Sequence, residues 1–174
     1  FAVAVGLLNR LDYHASAGIE VPVEISPPKS GKTLANIVEE TLQRKYGALR
    51  DVQVFMEQHA GENVMVIAST GLGKTEAALL WSGGGKLFYT LPLKVSIQAI
   101  YNRICSDYGF GKERTTLLHS DAASILMKEQ AEASEQPLLK YFATRMFAFP
   151  VTVCTVDQLF PFVFRYRGCE PLLA

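Results

Sequence analysis

Asn63-Val-Met-Val-Ile-Ala-Ser-Thr-Gly-Leu-Gly-Lys-Thr-Glu-Ala-Ala-Leu-Leu-Trp81 is the stretch on which the reading of the fold turns. Val64 to Ile67 is a short apolar run rich in β-branched residues, and the pattern predicts a buried parallel strand. Ala68 to Gly73 carries two glycines and can turn sharply. Thr75 to Trp81 is rich in Ala and Leu and reads as the first turns of a helix. Strand, glycine loop and helix in this order are the context of a phosphate-binding loop.

The chemistry follows from what a phosphate needs. Backbone N–H groups reach its oxygens only where no Cβ stands in the way, and Gly71 and Gly73 give that clearance. The amides from Gly71 to Thr75 are expected to form an anion-binding nest over a helix N-terminus. The cofactor-binding set is therefore Thr70, Gly71, Leu72, Gly73, Lys74, Thr75 and Glu76. Within it Lys74 would reach the β- and γ-phosphates as a point charge, and Thr75 Oγ1 would ligate Mg²⁺. Lys74 and Thr75 are the catalytic candidates. Ser30-Gly31-Lys32-Thr33 repeats the ending of this motif. It follows Pro27-Pro28-Lys29 rather than a strand, so it reads as a helix start with Ser30 or Thr33 near the N-cap.

Length and composition bound the rest. The chain has 174 residues, 49% of them apolar and 20% charged, with a formal net charge of zero. That fits one core-forming domain plus an appendage, and leaves a local basic groove open. Cys105, Cys154 and Cys169 have no Cys-x-x-Cys spacing and read as reduced thiols of a cytoplasmic protein. No apolar run is long enough for a bilayer, and no membrane partner is expected. The start on Phe1 suggests a piece of something longer.

In chain order, Phe1 to Ala17 reads as a helix with Leu7, Leu8, Leu11 and Ala15 on one face. Val21 to Ile25 is weakly alternating, and residues 26–32, with two prolines, form a linker. Helices are expected over Thr33 to Tyr46 and Leu49 to His59, then the phosphate loop. Lys86 to Leu91, Thr115 to His119 and Pro150 to Thr155 read as strands. Helical segments are expected over Val95 to Tyr108, Ala122 to Met146 and Val156 to Phe164. Alternating strands and helices predict an α/β, doubly wound parallel sheet. Its ligand end would gather Thr70, Thr90, His119 and Thr155.

Several stretches resemble superfamily 2 helicases. Ala68 to Ala78 resembles motif I in a variant that begins with Ala instead of Gly. Leu49-Arg50-Asp51-Val52-Gln53 resembles the Gln motif, which implies that Gln53 selects the adenine of ATP. Thr90-Leu91-Pro92-Leu93-Lys94-Val95-Ser96 resembles motif Ia, and Val153-Cys154-Thr155-Val156-Asp157-Gln158-Leu159 a later DNA-contacting motif. This implies that Lys94 and Thr155 touch the backbone of single-stranded DNA, with Lys94 where Arg is usual.

The combination, with Leu117-Leu118-His119-Ser120, is narrower and resembles the CRISPR-associated type I helicase–nucleases. In that family an HD nuclease domain precedes the helicase, and Gly6 to Ala17 resembles its end. The resemblance implies residues 1–25 as the end of an HD domain and 33–174 as most of a first RecA-like lobe, stopping before motif II. It makes Asp12 a candidate ligand for a divalent transition metal of the full HD domain. It also implies ATP and Mg²⁺ as cofactors, and a CRISPR surveillance complex and single-stranded DNA as partners. The implied function is ATP-dependent translocation with an attached metal nuclease, the chain by itself turning over little. Another superfamily 2 helicase or restriction-type translocase, a non-helicase P-loop protein and a non-catalytic nucleotide module are the alternatives.

Overall fold

The computed structural model describes residues 31–119, 143–144 and 147–160, together with residues 8, 11, 12, 15, 16 and 18. Expectations for Val21 to Ile25, the linker before Gly31, most of Ala122 to Met146 and the tail after Phe160 lie outside these residues. Among the described residues the continuous elements make an α/β fold: α1 (Leu34–Tyr46), α2 (Asp51–Gln58), α3 (Lys74–Trp81), β1 (Leu87–Leu91), α4 (Lys94–Asn102), β2 (Thr115–Leu118) and β3 (Val151–Thr155). The strands are all parallel in the order β1-β3-β2, a small sheet of the kind an incomplete RecA-like fold contains. None of the described helices is long and apolar enough to cross a membrane.

Local chemistry sets the helix ends. Thr33 caps α1: its Oγ1 accepts from the Asn36 N–H at 3.2 Å, while Asn36 Oδ1 accepts from the Thr33 N–H at 3.2 Å. The second Gly-Lys-Thr is thus a helix start, and Lys32 pairs with Glu40 at 2.6 Å. Gly47 closes α1, its N–H donating to Gln43 O at 2.8 Å. Leu34, Ala35, Val38 and Leu42 form the buried stripe of α1, at the spacing its sequence shows.

α3 packs against α1 and α2, and α4 packs across all three strands. One apolar core joins the two groups, with Val38, Leu79, Ile97, Ile104 and Val153 all fully buried. β2 and β3 are buried at every residue and read as near-continuous apolar or Thr-rich runs, as central parallel strands do. α4 does not run on to Tyr108. It passes at Arg103 into a π-turn, Arg103–Asp107, closed by the Tyr108 N–H donating to Arg103 O at 3.1 Å.

One expectation fails. Val64 to Ile67 is no strand; residues 63–69 are irregular, and Met65 and Ile67 are 88% and 93% exposed. An apolar β-branched run becomes a strand only beside a partner that takes its backbone hydrogen bonds. Among the described residues β1 pairs only with β3, and no described strand runs alongside 64–67. The loop is held instead from its start, where Trp81 Nε1 donates to Glu62 O at 3.1 Å.

Candidate nucleotide site

The loop between Ala68 and Lys74 carries the geometry that its glycines permit. Gly71 and Gly73 have φ of +83° and +80°, and Gly73 is the N-cap of α3. A nest of amides over a helix N-terminus is what such a backbone presents to an anion. It opens on a cavity of about 420 Å³ whose lining includes Thr70, Gly71, Gly73, Lys74 and Thr75. Lys45 and Tyr46 from the end of α1 line it too, with Arg50 and Arg103 and the acidic Glu76 and Asp107. Positive-φ glycines, a helix N-terminus and several cations around one hollow fit a polyphosphate.

Lys74 is turned back on its own loop. Its Nζ donates to Ala68 O at 2.7 Å and to Ser69 O at 2.9 Å. Arg50 holds the same loop from outside, its Nη1 donating to Gly71 O. Burial pushes the Tyr89 phenol of β1 above its ordinary pKa, and the neighbouring Thr75 hydroxyl works against that rise.

Gln53 is brought to the loop, 4% exposed. Its Oε1 accepts from the Arg50 N–H at 2.9 Å, and its Nε2 lies where a Cβ on Gly73 would be. Leu72 is 44% exposed at the crest of the loop. Glu76 is buried with its carboxylate turned to the protein: Arg103 Nη2 is 2.7 Å from Oε1, and Tyr108 Oη donates to the same oxygen at 3.0 Å. Burial, and then the Glu76 charge, raise the Tyr108 phenol far above its ordinary value. Arg50, Arg103 and Tyr108 were not legible as site residues, because no spacing to the loop marks them.

The carboxyl ends of the strands come together as parallel register requires. Leu91 stands beside Thr155 and Leu118 beside Cys154, with His119 just past β2 and buried. Thr155 is 5% exposed, and its hydroxyl donates to the Asp157 carboxylate. That bond holds Asp157 below the usual carboxylate range; a 2.6 Å bond from Gln158 Nε2 and the Lys94 charge add to it. Lys94, exposed at the first turn of α4, and Thr155 therefore share one neighbourhood through Asp157.

Asp12 lies on an exposed helical segment. Among the described residues no group of three His, Cys, Asp or Glu side chains is placed to hold a metal.

No family model and no solved structure matches the chain. Two curated proteins do. One is the CRISPR-associated nuclease/helicase Cas3 of Methanothermobacter thermautotrophicus, 30% identical over 173 residues. That match covers 97% of this chain and 20% of the relative. The other is a putative CRISPR-associated nuclease/helicase Cas3 of Methanocaldococcus jannaschii, 30% identical over 108 residues, 55% of this chain and 14% of the relative. The chain spans about a fifth of the length of the first. With a glycine nest in a parallel α/β fold and an alignment at 30% identity that spans 97% of its length, this chain belongs to the family of CRISPR-associated nuclease/helicases.

Proposed function

We propose that this chain carries the nucleotide-binding half of an ATP-driven single-stranded DNA translocase joined to a metal-dependent nuclease, acting with a CRISPR surveillance complex. The observation that carries the reading is the loop itself: two positive-φ glycines, a helix N-terminus and Lys74 around one cavity. The amides of Gly71 to Thr75 would hold the phosphates, Lys74 would exchange its two carbonyls for phosphate oxygens, and Thr75 would take Mg²⁺. When bound, the Mg²⁺ neutralises charge on the transferred phosphoryl group. Gln53 would stand at the base side of the site, fixed by Arg50.

Lys94 and the turn after Thr155 are proposed to meet the DNA backbone, Lys94 as a point charge. Asp12 is proposed as part of the nuclease domain in the full-length protein, whose domain limits follow the sequence boundaries given above. The test is Lys74→Ala in the full-length protein. ATP hydrolysis, with or without single-stranded DNA, should disappear while the melting temperature stays put. DNA-stimulated hydrolysis that survives the substitution would falsify the reading.

A further inference from the structure

We propose that Glu76 and Arg103 are a positioning pair that ties the first turn of α3, and with it Thr75, to the far end of α4. The proposal rests on the nucleotide reading only for its kinetic consequence. Its structural basis stands apart. Glu76 has a side chain 9% exposed, yet it is ionisable and sits directly after the residue expected to take Mg²⁺. A buried carboxylate is costly unless it is paired and hydrogen-bonded, and an apolar residue would pack there at less cost. The chain spends an arginine and a tyrosine on it.

The π-turn makes that pairing possible. Arg103 and Tyr108 are five residues apart, and five steps of an α-helix put two side chains about 140° from each other. The π-turn closes a bond from the Tyr108 N–H to Arg103 O instead, bringing the two onto neighbouring positions. Both then reach one oxygen, Glu76 Oε1, at 2.7 and 3.0 Å. A π-turn is uncommon, and here it follows α4 and carries at its start the arginine that bridges to α3.

The placement decides what the pair does. α3 packs on α1 and α2, while α4 packs on the sheet, so Glu76 is where the two groups are joined by polar contact. Arg103 also lines the cavity with Gly71, Lys74 and Thr75. α4 has Lys94 at its start and leads into Arg103, a rod of about 14 Å. A displacement of α4 at its Lys94 end therefore reaches Thr75 through Arg103 and Glu76.

The test uses the full-length protein with Arg103→Gln, Arg103→Lys, and the double change Glu76→Gln with Arg103→Gln. The double variant removes the pair without leaving a buried carboxylate alone. Amide hydrogen exchange is read first, without nucleotide. Residues 73–79 should exchange about tenfold faster in the Gln variants, with α1 and β2 unchanged and partial recovery in Arg103→Lys. ATP turnover is read second. The stimulation by single-stranded DNA, taken as the ratio of stimulated to basal kcat within each variant, should fall about tenfold in the Gln variants and recover in part in Arg103→Lys. Unchanged exchange at residues 73–79, or exchange that rises everywhere with a falling melting temperature, overturns the proposal. DNA stimulation that persists in full overturns it as well. A wild-type protein that hydrolyses no ATP would sink the nucleotide reading alone, and the exchange result would still decide the pair.

Discussion

The side-chain amide of Gln53 fills the space that a Cβ on Gly73 would need. Gln53 is held there by its Oε1, which accepts from the Arg50 N–H at 2.9 Å, so it cannot swing aside without orphaning a backbone donor. Gly73 also sits at φ +80°. Gly73→Ala is expected to cost about 3 kcal/mol, from left-handed strain and the displaced Gln53 together. Gly71→Ala is the control. It has φ +83° but nothing within 4 Å of the new Cβ, so strain alone, about 1 kcal/mol, should appear. Urea denaturation of the two variants checks the order; equal losses would show that Gln53 yields freely.

Met65 and Ile67 are apolar yet stand in solvent at 88% and 93% exposure, whereas Leu79 is wholly buried. Met65→Ser and Ile67→Thr should each change stability by less than about 0.5 kcal/mol. Leu79→Ala should cost roughly 2–5 kcal/mol through lost burial and the cavity left behind. A large loss at Ile67, measured by thermal or urea unfolding, would mean that the run from Val64 is buried in solution.

Thr33 begins α1 with a reciprocal bond to Asn36. Thr33→Ala should lower stability by about 1 kcal/mol, and Thr33→Ser should restore most of it. Circular dichroism during thermal unfolding reads both. The expectation fails if Thr33→Ser and Thr33→Ala unfold together.

Cys154 is fully buried between β1 and β2, and burial, then the nearby Asp157 charge, push its thiol up to about 11. The folded state thus keeps its proton where an unfolded Cys154 would lose it. Its contribution is complete below an ordinary thiol pKa near 9 and falls as pH rises from there toward 11. Stability should drop by about 1 kcal/mol between pH 8 and pH 10, and Cys154→Ala should remove that part of the slope. Equal slopes in the two proteins would place the thiol in contact with solvent.

Much of this fold is written in short-range chemistry. The α1 stripe, the Thr33 cap, the Gly47 stop and the runs of β2 and β3 each depend on neighbours in sequence, and each stands where the pattern puts it. The run from Val64 misleads because strand formation is decided by a partner, not by the residues of the run. The turn at Gly71 and Gly73 is legible because glycines act on their own backbone. Arg50, Arg103 and Tyr108 escape because they reach the loop across the fold, and Arg103 depends on a π-turn that helical periodicity conceals. Glu76, read from its place beside Thr75 as part of the nucleotide set, has its carboxylate taken by the protein itself.

Lys74, resting on Ala68 O and Ser69 O, makes the loop its own first ligand. On the proposed nucleotide reading, an incoming triphosphate would compete with two carbonyls for that ammonium, so its affinity would be the difference between two grips and would understate the stronger one. Deleting the ammonium therefore frees the carbonyls as well as disarming the loop. Tight binding by a Lys74 variant would report on a rearranged host, not on a dispensable charge.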